Sequence, residues 1–222
     1  MQNQRPNVLT ISSSGWLKRY YYVRAAFSLI WVGLAFTLGR HFPQVSALML
    51  IVYPAWDAAA NYVDATSNGG LISNPSQALN VVVSALTTLA VVIALTQSMN
   101  TVLAVFGVWA VLSGAFQLAT GVRRWKSYGG QWAMALSGAQ SLLAGALFVH
   151  AAGAKMPSIA DITPYAAFGA FYFLISAIWL TIRDARRATI HTTAGRERDG
   201  RLEMPWPARP PIDLDQERNQ SR

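Results

Sequence analysis

The stretch YPAWDAAANYVD, Tyr53 to Asp64, sets Asp57, Asn61 and Asp64 at i, i+4 and i+7 in an otherwise apolar run. On a helix these three form one stripe. Acids in apolar surroundings must face protein or water, because lipid cannot solvate them, and such groups mark ion or proton routes or are held by internal partners. Asp57 and Asn61, with Gln117 and Gln140 from two other apolar segments, would line a proton or solute pathway. A second reading makes Asp57 a structural acid reached by a snorkelling Arg24. Asp64 lies nearer the basic end of the chain's first segment, with Lys18, Arg19 and Arg24, and reads as the partner of Arg24 in an interfacial ion pair. Pro54, three residues before Asp57, donates no backbone hydrogen bond and so frees the carbonyl of Leu50.

Catalytic chemistry finds little support. The chain has no cysteine, which excludes disulfides, thiolate catalysis and cysteine-ligated metals. Nucleophile elbow, zinc-protease, phosphate-loop and dinucleotide motifs are all missing. His41, His150 and His191 have no second ligand at helical spacing, so neither a metal site nor a cofactor is assigned. A non-enzymatic protein is expected.

The elements that carry these residues are membrane helices. Hydrophobic residues make up 53% of the 222 and charged residues only 13%, a balance that soluble domains rarely show. Six segments are long and apolar enough to cross about 30 Å of hydrocarbon: 21–41, 45–64, 77–96, 100–121, 131–152 and 164–182. Between them stand RHFPQ, TSNGGLISNPS, TQSMN, RRWKSYGG and GAKMPSIADITP, whose Pro, Gly, Asn and Ser supply stops and caps. The fold class is therefore all-α and polytopic. The small residues Ser137, Ser141 and Gly145 form a stripe on the fifth segment, suited to close helix approach or to a homo-oligomer face.

Basic residues orient the bundle, because Lys and Arg are retained on the cytoplasmic side. With the N-terminus inside, Arg5, Lys18, Arg19, Arg24, Arg123, Arg124, Lys126, Arg183, Arg186 and Arg187 lie inside, and Arg40 and Lys155 outside. That asymmetry demands an even number of crossings and puts both termini in the cytoplasm. The net charge of +8 is thus a topology signal, and no basic face with stacking aromatics accompanies it to suggest nucleic acid. Arg123, Arg124 and Lys126 could also hold anionic lipid headgroups. Residues 1–20 lack the apolar core and cleavage site of a removed signal peptide. They form a cytoplasmic segment with an interfacial anchor around Trp16 and Tyr20, either a short capped helix or the flank of the first span. Residues 21–183 make the transmembrane domain. Residues 184–222 are polar and proline-rich, and a disordered cytoplasmic tail is expected there.

An internal repeat groups the spans. Gly107, Gly114 and Gly121 recur every seven residues, and the same spacing relates Gly169, Ser176 and Arg183 and also Ala47, Pro54 and Asn61. Offsets of 60 and 62 residues pair the spans into three two-helix units. GWLKRYYYVRAAFSLIWVGLAFTLG, GVWAVLSGAFQLATGVRRWK with GGQWAMALSGAQSLLAGALF, and GAFYFLISAIWL together resemble the bacterial acid-resistance membrane proteins of the HdeD type, built from the short membrane repeat DUF308. The resemblance runs over about residues 15–188. It implies a six-helix protein of the bacterial inner membrane without known enzymatic activity, in some members linked to acid tolerance. YPAWDAAANYVD in place of a glycine-centred motif, and the long charged tail, set this chain apart.

Overall fold

The computed structural model describes residues 8–123, 131–153 and 156–202. Its contacts divide the chain into one compact unit, Met1–Leu180, and a second, Thr181–Arg222. Among the described residues every regular element is helical: α1 (Val8–Leu34) with a π-helical turn at Ala35–Gly39, α2 (Pro43–Ser67), α3 (Pro75–Leu95), α4 (Met99–Arg123), α5 (Gln131–Ala151) and α6 (Ile159–Leu202). Four stretches are long and apolar enough to cross a membrane: Gly15–Gly39, Pro75–Leu95, Met99–Ala119 and Ile159–Arg186. The described apolar part of α5, Ala135–Ala151, is shorter. α2 has the length, at 25 residues, but carries Asp57, Asn61 and Asp64.

Local chemistry sets the boundaries. α2 and α3 both begin with proline, whose missing N–H is harmless in the first turn. α2 ends in a Schellman motif: Gly69 has φ 97°, and the Gly70 amide donates to the Ala65 carbonyl at 2.8 Å. Asn74 then ties the loop together by donating to the carbonyls of Asn68 (2.8 Å) and Gly70 (2.9 Å). Ser98 caps α4, its hydroxyl accepting from the Thr101 amide at 3.1 Å.

α6 begins at Ile159, five residues before the predicted start at Pro164. The reason is a capping box. Asp161 accepts from the Ser158 amide at 2.6 Å, and the Ser158 hydroxyl accepts from the Ala160 amide at 3.2 Å. At its other end α6 runs to Leu202, whereas a polar tail without structure was expected from residue 184. Residues 183–202 are rich in Arg and also contain three Ala, both good helix formers. The first proline after Pro164 is Pro205. At the N-terminus, the predicted anchor and first span form one continuous helix from Val8.

Among the described residues of Met1–Leu180, many large apolar side chains are exposed. Leu143 and Ile30 are each 63% exposed and Trp179 68%, while Ser84, Thr163 and Ser28 are buried. Such an exterior suits lipid. The interior is dominated by large side chains, with Trp31, Leu50, Tyr53, Leu103, Phe106, Trp109, Phe148 and Ile162 in one cluster.

α4 and α5 make the closest helix pair, followed by α2 with α3 and α3 with α4, so helices pack most closely across the boundaries of the predicted two-helix units as well as within them. Glycines cause the α4–α5 approach. A Cβ added to Gly107 would lie 2.9 Å from the Gly145 carbonyl oxygen, and one on Gly114 2.7 Å from that of Gly138. Backbone touches backbone along this seam. Gly145 and Ser141 of the small-residue stripe therefore face α4.

Candidate functional site

The charged groups of α1 and α2 meet within the bundle. Arg24 of α1 forms an ion pair with Asp57 of α2, its Nη2 donating to the Asp57 Oδ1. The pair is largely buried, with side-chain exposures of 13% and 16%. Asp57 Oδ2 accepts from the Ser84 hydroxyl of α3 at 2.8 Å and from the Asn61 amide at 3.0 Å. Helical spacing explains the second contact, since Asn61 lies one turn on and also donates to the Asp57 backbone carbonyl at 2.8 Å. Both carboxylate oxygens are thus engaged.

Arg24 is held on its other side as well. Its Nη1 donates to the Tyr20 hydroxyl at 2.9 Å, one turn earlier on α1, and its guanidinium lies over the Phe173 ring of α6, 4.3 Å from the centroid. The aromatic face offers this largely buried cation electrostatic attraction. Arg24 Nε is buried with no hydrogen-bond partner among the described residues. The guanidinium is therefore fixed by one acid, one phenol and one ring.

Inward from Asp57 the network closes. Trp109 of α4 donates its indole N–H to the Ser84 hydroxyl at 3.0 Å, and Ser84 passes its own hydrogen to Asp57. An indole N–H donates and has no acceptor. The chain Trp109, Ser84, Asp57 therefore runs one way and ends at the tryptophan. Trp109 is buried and ringed edge-on by Phe106 at 5.7 Å, Tyr53 at 5.9 Å and Tyr165 at 6.1 Å. Nearby, Trp31 donates to the Met49 carbonyl of α2 at 2.9 Å.

Of the residues singled out in the sequence, Asp57, Asn61 and Arg24 come together. Asp64 does not join them. Its carboxylate accepts from the amides of Asn68 at 3.0 Å and Gln77 at 3.1 Å, so Arg24 pairs with the deeper acid instead of the boundary one. The reason is reach: Arg24 lies well inside the first span, where Asp57 is the acid at its depth. Gln117 on α4 and Gln140 on α5 are partly buried, and neither joins the Asp57 network by a hydrogen bond among the described residues. Arg124 and Lys126, and the side chain of Arg123, lie outside the described residues.

Ser84, Trp109, Tyr20 and Phe173 complete the site without having been singled out as partners of Asp57. For Trp109 the sequence did carry a signal, because tryptophan favours membrane interfaces and this one falls mid-span. Ser84 carried none, being one of several hydroxyls on α3, with Thr87 and Thr88.

Residues 79–150 match a family described as a short repeat of unknown function, DUF308. No curated protein and no solved structure matches the chain. The matched region holds most of α3, all of α4 and α5 to His150. It includes the glycine seam, Ser84 and Trp109. Arg24 and Asp57 lie outside it, so the similarity covers the neutral side of the network and not its charges.

Proposed function

We propose that this chain is a non-enzymatic protein of the bacterial inner membrane with six spans and both termini in the cytoplasm, in which Arg24 and Asp57 lock α1, α2 and α3 together. The six-span count rests on four apolar stretches together with α2 and α5, which at 25 and 21 residues match the length a crossing needs. Of the two acids that lower the apolarity of α2, the deeper one, Asp57, is neutralised by Arg24. The physiological role is protective, in the envelope or under acid stress, as the resemblance to the HdeD-type proteins implies.

The engagement of Asp57 carries this reading. Both of its oxygens are held, and its inner neighbour Ser84 is backed by a group that can only donate. A proton carrier needs an acceptor beyond it, and Trp109 is none. The test is proton flux in liposomes that carry purified full-length protein and a pH-sensitive dye, for wild type and Asp57→Asn under an imposed pH gradient. Neither protein is expected to exceed protein-free vesicles. Flux that Asp57→Asn abolishes would establish instead a small proton-coupled transporter or channel, with Asn61, Gln117 and Gln140 as the next residues to replace.

A further inference from the structure

A cleft of about 650 Å³ opens between α1 and α2 beside the ion pair, with Trp16, Arg19, Tyr20, Arg24, Trp56 and Val63 in its lining. That volume is in the range of sites that hold one small molecule. It exists because α1 and α2, although consecutive, scarcely approach one another along this length. Aromatic side chains stand between them: Phe27 stacks on Trp56 at 4.5 Å and Trp31 meets Tyr53 at 4.9 Å.

The lining has a gradient of chemistry. Arg19, at the end nearer the N-terminus, is exposed. Trp16 and Tyr20 beside it are the residue types that settle at headgroup level, and their rings lie 5.1 Å apart. Deeper in, Arg24 is already neutralised by Asp57. With Arg24 offset by Asp57, the positive charge left in the lining is that of Arg19, while Asp64, next to Val63, accepts from Asn68 and Gln77. The remaining walls are apolar and open outward, with Val23 53% and Val63 49% exposed. They are continuous with the surface that meets lipid.

We propose that this cleft seats one anionic phospholipid of the cytoplasmic leaflet, its phosphate at Arg19 beside the Trp16–Tyr20 ring pair and the upper part of an acyl chain along Val23, Ala59 and Val63. A free phosphate would leave the apolar walls uncovered. A zwitterionic lipid would leave the excess charge unmatched. The inference rests on the membrane reading but not on any role of Asp57 in flux.

Native mass spectrometry of the full chain in detergent, titrated with phosphatidylglycerol or phosphatidylcholine, tests it without depending on the liposome assay. Phosphatidylglycerol should bind first and tighter. Arg19→Gln, at an exposed position, should weaken that first step about fivefold, the value of one arginine near an anionic surface. Ala59→Trp should block it by filling the cleft. Equal binding of the two lipids, or phosphatidylglycerol binding that neither substitution changes, would overturn the assignment. So would a dimer that Ala59→Trp dissociates, since a second copy of the chain would then occupy the cleft. A loss with Arg19→Gln that Ala59→Trp does not reproduce would reduce the site to surface attraction and overturn it too.

Discussion

The α4–α5 seam and the α1–α2 pair solve the same problem of joining neighbouring helices by opposite means. In the first, glycines at 107, 114, 138 and 145 bring two backbones into contact. Association there is van der Waals packing of small residues, as membranes favour. In the second, rings of Phe27, Trp31, Tyr53 and Trp56 hold the helices apart, and the gap is bridged by Arg24 and Asp57. Close approach leaves no room for chemistry. Separation by aromatics leaves a cavity beside a charge pair. The contrast also follows the family match, which covers the seam and stops short of the charges.

Substitutions can break that contrast. The largest effect is expected from Asp57→Ala, which leaves Arg24 buried without its acid and should destabilise the protein by about 3 kcal/mol or more. The double variant with Arg24→Gln should recover part of the loss, measured as thermal unfolding of the purified protein in detergent. If the double variant were no better than the single one, the pair would not be the unit that joins α1 to α2.

Glycine substitutions should divide by region. Gly145→Ala places a Cβ 2.6 Å from the Gly107 carbonyl oxygen, so two backbones must part, at about 2 kcal/mol. Gly33→Ala on α1 meets nothing within 4 Å and should be neutral or stabilising, because alanine is the better helix former. Equal effects in the same unfolding assay would mean the seam is looser than its geometry. The smallest change comes from Ser84→Ala, which removes one hydroxyl from Asp57 and leaves the Trp109 N–H unpaired, at about 1 kcal/mol. Tryptophan fluorescence should shift with it, and an unchanged spectrum would remove Ser84 from the network.

Much of the framework was legible because its causes are local. Apolar length marked the segments, and Pro43, Pro75, Gly69 and Ser98 mark their ends. The Arg24–Asp57 pair was among the readings, since an acid in a span has few partners within reach. Ser84 and Trp109 were not legible as partners, because a hydroxyl and an indole are common in membrane helices and only tertiary contact gives them meaning. The contact between Gly145 and Gly107 likewise joins residues 38 apart, and a stripe of small residues does not say which helix it meets. Helix propensity in residues 183–202 was outweighed by polarity in the reading of the tail, although the chain there contains no proline to stop α6.

The ion pair also bears on how the chain is made. A helix that carries a bare aspartate near its middle enters the bilayer at a cost of about 2.5 to 3.5 kcal/mol, and an arginine at that depth is penalised similarly. Arg24 precedes Asp57 by 33 residues, so the cation is synthesised before the acid that it offsets. Paired, the charges of these two consecutive helices cancel. The first two helices therefore contain both charges of the pair, and α3 adds the Ser84 hydroxyl to a carboxylate whose counter-ion lies earlier in the chain.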